Sequence, residues 1–144
     1  MPLTMYLKRY AQALLPEPDL TVSEWADEYR ILDQGSSSEP GRWRTDRTPY
    51  LREIMDSLSS KSDDDIIVFM KGAQIGATEA GNNWLGYVIH HAPGPMLYVM
   101  PTVDSAKRAS KQRIGPMLDS IPEVAAKVAT PRARDSGNTL FQKD

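Results

Sequence analysis

Two short apolar runs, "IIVFM" (66–70) and "MLYVM" (96–100), flank a helical stretch, and a glycine-containing turn joins the first run to that stretch. This arrangement constrains the chain more than anything else in it. Each run is continuous rather than alternating, the pattern of a strand buried on both faces. The turn is "KGAQIGAT", Lys71 to Thr78, and the predicted helix is "TEAGNNWLGYVIHH", weakened by Gly81 and Gly86 and broken by "APGP". Pro101 closes the second run, and "TVDSAKRASKQRIGPML" predicts another helix ending near Gly115 and Pro116. Strand, loop, helix, strand, helix is the alternation of a parallel α/β sheet. Two parallel strands make a poor independent sheet. The expectation is therefore the first part of a larger α/β domain, with the chain stopping inside it.

The turn poses a chemical question. A standard phosphate-binding loop reads G-x-x-x-x-G-K-[ST]. Aligned on Gly76 and Thr78, this chain has Ala77 in place of the lysine and Lys71 in place of the first glycine. Three features suit a phosphate. The loop leaves a strand and enters a helix, so the helix N-terminus and the backbone N–H groups of Gly72, Ala73, Gln74, Ile75, Gly76 and Ala77 can face an anion. Gly72 and Gly76 let the backbone turn and approach closely. Thr78 places a hydroxyl where such loops bind Mg²⁺. Lys71, at the loop's opening, can fold across it and supply the missing charge. The plainer alternative is a strand-to-helix connection with no nucleotide, in which Thr78 only caps its helix. The residues alone leave both open.

Upstream, Met5 to Leu15 reads as a short helix ended by Pro16 and Pro18. Thr21 and Glu24 have capping-box spacing and open a second helix, which aligns Trp25, Tyr29 and Leu32. "DQGSSSEPGRWRTDRTP" reads as a long loop, and loops of that length are usually functional or disordered. Thr48 is expected to cap a third helix, with Pro49 at its first position and Leu51, Ile54, Met55 and Leu58 as its apolar stripe. Near the end, "SIPEVAAKVA" reads as a short helix and "NTLFQKD" as the opening of a strand or hairpin.

With 17 basic and 19 acidic residues the net charge is −2, so no global field draws the chain onto nucleic acid and any such contact must be local. Cysteine is absent, which excludes disulfides and thiolate metal sites. The N-terminus lacks the apolar core of a signal peptide and no run approaches membrane-spanning length, which makes the cytosol the default location. Two local basic clusters stand out. Arg42 and Arg44 flank Trp43, a pattern that suits phosphate contact with base stacking, or a loop anchored on the core by its indole. Lys107, Arg108, Lys111 and Arg113 are close together on a predicted helix, as a nucleic-acid contact or a solvated face. His90 and His91 lie at a helix end without a carboxylate cluster, where the helix dipole accounts for them better than a metal does.

Four segments, "LTVSEWADEYRIL", "SSSEPGRWRTDRTPYLREIMDSL", "MKGAQIGATEAGNNWLGYVIHHAPGPMLYVMPT" and "AKRASKQRIGPML", together resemble the N-terminal part of tailed-phage terminase large subunits of the lambda-like GpA group. The resemblance runs from about Leu20 to the end, and "EPGRW" and "KGAQIG" are its most specific pieces. It implies a DNA-packaging motor with a RecA-like P-loop ATPase domain, followed in the family by a metal-dependent nuclease. It implies ATP and Mg²⁺ as cofactors. The family's loop tolerates a cation at its first position, where Lys71 stands, and Gly76 and Thr78 match the later glycine and the metal-binding hydroxyl. Ala77 departs from the many members that carry the standard lysine. The family's "PYQ" motif, which helps hold adenine, is "PYL" here: Tyr50 is kept and Leu51 replaces the amide. The segment after the second run resembles a helicase-like motif linked to nucleic-acid contact.

The resemblance divides the chain into an N-terminal helical arm with the Arg/Trp loop (1–47) and the first part of a P-loop ATPase domain (48–144). The fold expectation is an incomplete RecA-like parallel sheet preceded by that arm. No acidic strand follows the loop, so no catalytic residue is assigned and the fragment is not expected to hydrolyse ATP alone. The implied partners are a small terminase subunit, double-stranded viral DNA and, in the full-length parent, the capsid portal. Self-association through an exposed sheet edge is a further expectation, and the implied location is the cytoplasm of the bacterial host. The alternatives are a non-catalytic assembly module that binds the small subunit, and a helicase-like nucleic-acid ATPase.

Overall fold

The computed structural model describes Tyr6, Leu7, Tyr10 and Leu14, residues 18–35, 39–129 and 139–142. The helix expected over Met5 to Leu15 falls mostly outside the described residues. The capping box at Thr21 forms as its spacing predicts. The Thr21 hydroxyl accepts from Glu24 N at 3.3 Å, and the Glu24 carboxylate accepts from Thr21 N at 2.8 Å. Together they satisfy two N–H groups that a helix start leaves free. They open α1, Val22–Tyr29, whose chain then turns extended at Arg30. Ile31–Leu32 (β1) pairs antiparallel with Gly41–Arg42 (β2), with Ile31 opposite Arg42 and Leu32 opposite Gly41. A 3₁₀ turn, Thr45–Arg47, leads into α2, Tyr50–Ser57. Pro49 holds the N-cap of α2, not Thr48, whose buried hydroxyl has no hydrogen-bond partner among the described residues. The long loop therefore carries structure of its own.

Next come α3, Ala77–His90, and α4, Val103–Ala109, which runs directly into a π-helical turn, Ser110–Ile114. The helix does not end at Gly115 and Pro116. These residues open α5, Gly115–Ser120, with Pro116 in its first turn directly after the π turn. Pro122 likewise opens α6, Pro122–Ala125. Thr139 to Gln142 form a turn closed by Thr139 N to Gln142 O at 2.8 Å.

One apolar cluster joins α1, α2, α3, α5 and α6, with Trp25, Leu51, Met55, Tyr87, Met117 and Ile121 all buried within it. Burying an aliphatic side chain of this size contributes about 1.5–3 kcal/mol. Gly86, which looked like a weakness in α3, is what lets α1 approach. A Cβ built there would lie 2.3 Å from Cη2 of Trp25. The Trp25 indole N–H then donates to His90 Nδ1 at 2.9 Å, so the ring is both buried and satisfied.

The expected parallel sheet is not formed among the described residues, and their one sheet is the two-stranded β1–β2 pair. Residues 65–71 and 95–101 instead run without strand assignment and form no backbone–backbone hydrogen bonds among the described residues. Their exposure explains why a reading of both faces as buried fails. Ile66, Val68 and Met70 are 83%, 86% and 96% exposed, while Phe69 packs against the core. Leu97 and Val99 are similarly open, with Met96 and Met100 more covered. Each run rests one face on the helices, and no further strand or layer among the described residues pairs its backbone or covers the other.

Candidate functional site at the start of α3

Lys71, residues 74–79 and Arg113 line a cleft of about 270 Å³ at the N-terminal end of α3. Its floor is the loop of the sequence motif. Gln74 (φ 57°) and Gly76 (φ 80°) both take left-handed backbone, so the chain turns twice within three residues. For Gln74 that conformation costs on the order of 1–2 kcal/mol, the kind of strain that collects at functional loops. Gly76 is the N-cap of α3 and offers no side-chain oxygen, so the first-turn N–H groups have no capping acceptor. They carry the positive end of a 14-residue helix toward the cleft.

The "PYL" segment supports this loop from α2. The Tyr50 hydroxyl donates to Ile75 O at 3.1 Å, and the Tyr50 ring stays half exposed. Leu51 is fully buried, with its Cδ1 3.1 Å from a Cβ built on Gly76. The loop thus has a polar tie and an apolar prop from two adjacent residues. Lys71, Gly72, Ala73 and Gln74 are exposed, and Thr78, also exposed, lines the cleft.

Sequence reasoning missed the charges around Glu79, in the first turn of α3. Arg30, at the end of α1, is buried, and its Nη2 donates to Glu79 Oε2 at 2.9 Å. Its Nε donates to Asn83 Oδ1 at 3.1 Å, and its Nη1 to Ile31 O. Burial pushes the Arg30 guanidinium below its ordinary pKa, and the charge and hydrogen bond of Glu79, then the charge of Asp33, oppose that push. The other Glu79 oxygen accepts from Asn82 Nδ2 at 3.2 Å and from Arg113 Nη1 at 3.4 Å. Arg30 and Glu79 are 49 residues apart, and no local pattern links them. The one legible hint was an acid placed in a helix's first turn.

The other predicted residues are dispersed. The Trp43 indole is 7% exposed and donates to Thr45 Oγ1 at 3.0 Å, which places it as an anchor in the core. Arg42 donates to Glu28 O at 3.0 Å, and Arg44 is exposed. Lys107 faces Asp104 at 4.0 Å and Lys111 is exposed. Arg108 lines a cavity of about 310 Å³ that also takes in Thr78, Asn82 and Arg113, beside the loop. Each histidine ring accepts a structural hydrogen bond, His90 from Trp25 and His91 from Leu20 N at 3.3 Å. No group of three metal-ligating side chains occurs among the described residues. No helix among them is long and apolar enough to cross a membrane.

No curated protein and no solved structure matches the chain. A family model does, described as the phage terminase large subunit gpA, ATPase domain, over residues 37–144. The match takes in the Trp43 anchor, the Tyr50–Leu51 support, the whole loop and Arg113. The chain belongs to the phage terminase large subunit gpA family, with residues 37–144 matching its ATPase domain.

Proposed function

We propose that the chain supplies the nucleotide-binding part of a viral DNA-packaging motor and that Lys71–Thr78 is its phosphate loop. The single observation that carries this reading is the cleft itself. An uncapped helix N-terminus, a doubly turned loop with Gly76 at its end, and the cation Lys71 converge on one place. In this reading, amides of Gly72 to Ala77 cradle the phosphates of ATP and Lys71 neutralises them. Thr78 offers its hydroxyl to Mg²⁺, which would act there as a Lewis acid on the phosphate oxygens. Tyr50, with its hydroxyl held by the loop, presents ring surface for the base. The residues fit the group: the donors are backbone N–H and cations, and the carboxylate beside them, Glu79, is already paired with Arg30. On this reading residues 1–47 are an adaptor region and 48–144 the start of the P-loop domain. The parent's partners are a small terminase subunit, double-stranded DNA and the capsid portal, in the host cytoplasm.

The second reading, an assembly module, draws on a different observation. Ile66, Val68, Met70, Leu97 and Val99 present apolar side chains to solvent on backbone with no ladder bonds among the described residues, the kind of surface that pairs with another chain. Amide hydrogen exchange with and without Mg·ATP separates the two. The phosphate-loop reading expects slower exchange across residues 72–79 at saturating nucleotide. Unchanged exchange there overturns it and favours the module.

A further inference from the structure

In a standard phosphate loop a lysine next to the last glycine reaches the β- and γ-phosphates, and Ala77 has no charge to offer. Lys71 supplies one cation at the loop's opening. The structure brings a second cation to the same cleft from far along the chain: Arg113, in the π-helical turn Ser110–Ile114. We propose that Arg113 is a terminal-phosphate ligand of this site, held beside the cleft by Glu79 until a nucleoside triphosphate binds. The proposal rests on the nucleotide reading of the loop.

The geometry of Glu79 makes Arg113 free to move. A charge-assisted N–H···O bond is ordinarily about 2.7–2.9 Å. Arg30 meets that standard on one oxygen, at 2.9 Å, while Arg113 reaches the other at 3.4 Å, an oxygen that Asn82 also occupies. When Arg113 leaves, Glu79 keeps Arg30 and Asn82, and no buried charge is stranded. The Arg113 side chain is 47% exposed, so it swings without opening the core. Arg30 has no such freedom, being 2% exposed at its side chain and bonded on three nitrogens.

The backbone beneath Arg113 is built for this placement. A π turn inserts an extra residue and rotates the succeeding residues by about 100°, and such turns recur at functional sites. Gly115 permits it, since a Cβ there would come within 3.2 Å of Ser110 O. The planar guanidinium then offers paired N–H groups to a phosphate, which a lysine ammonium does not. Lys107 and Lys111 are not among the residues lining this cleft, and Arg108 lines only the adjoining cavity.

The test measures dissociation constants of fluorescent ATP and ADP analogues with Mg²⁺ for the wild-type chain, Arg113→Ala and Arg113→Lys. The expected result is a loss of about tenfold or more for the triphosphate in Arg113→Ala, less than about threefold for the diphosphate, and an intermediate triphosphate loss in Arg113→Lys. Thermal unfolding of each variant runs alongside. If Arg113→Ala fails to fold, Arg113→Lys carries the test alone: a loss confined to the triphosphate supports the role. Equal loss for both nucleotides, or no loss in either folded variant, overturns the role of Arg113 while leaving the loop as a nucleotide site. Absence of saturable binding by the wild-type chain overturns the loop reading and this inference with it.

Discussion

Gly81 and Gly86 are the same residue type five positions apart in one helix, and the structure gives them opposite meanings. At Gly81 a Cβ meets nothing within 4 Å, whereas at Gly86 it runs into the Trp25 ring. Gly81→Ala is therefore expected to raise stability by about 0.5–1 kcal/mol through helix propensity alone. Gly86→Ala should lower it by about 1–3 kcal/mol or more, because the indole must shift within a packed core. Thermal unfolding of the two variants reads both signs. Glu79 offers a sharper contrast. Glu79→Ala leaves the Arg30 guanidinium buried without its carboxylate, at a cost on the order of 3–5 kcal/mol. Arg113→Ala removes only a half-exposed contact to the same carboxylate, worth under about 1 kcal/mol. Urea unfolding of the two should differ by several-fold in stability lost. Equal losses would mean that Arg30 is not held by Glu79.

At the scale of elements, what the sequence made legible was whatever local chemistry decides. The Thr21–Glu24 box, the breaks at "APGP" and the span of α3 follow from capping and propensity, and each is in place. Thr21→Ala is expected to cost about 1 kcal/mol in thermal unfolding, with no effect on the loop. The apolar runs around Val68 and Val99 failed because burial on two faces is a property of neighbours, not of the run. Alternation of exposure along 66–70 cannot be seen when every residue is apolar. The π turn was invisible for a related reason: Gly115 and Pro116 read as a helix end, yet they follow a change of helical register. The turn at Gly76 was legible from glycine spacing, the left-handed Gln74 was not, and Tyr50 and Leu51 proved to support the loop. Arg30 and Arg113 reach Glu79 only through tertiary packing, so no reading of spacing would have joined them.

For the whole molecule, the family match places residues 37–144 in an ATPase domain, while the exposed apolar stretches bear on its company. Val68 is 86% exposed, so Val68→Lys should change stability by no more than about 0.5 kcal/mol. The same substitution should reduce concentration-dependent association in sedimentation velocity, since a charge on an unpaired extended edge opposes pairing. Association that is unchanged by it would remove these stretches as a contact surface. The central claim is that Lys71 and its loop hold nucleotide phosphates. Titration of a fluorescent ATP analogue with Mg²⁺ against the chain and against Lys71→Ala tests it most directly. Saturable binding, weakened about tenfold or more in the variant, is the predicted result. Equal affinity in the two chains, or no saturable binding by the wild-type chain, would contradict it.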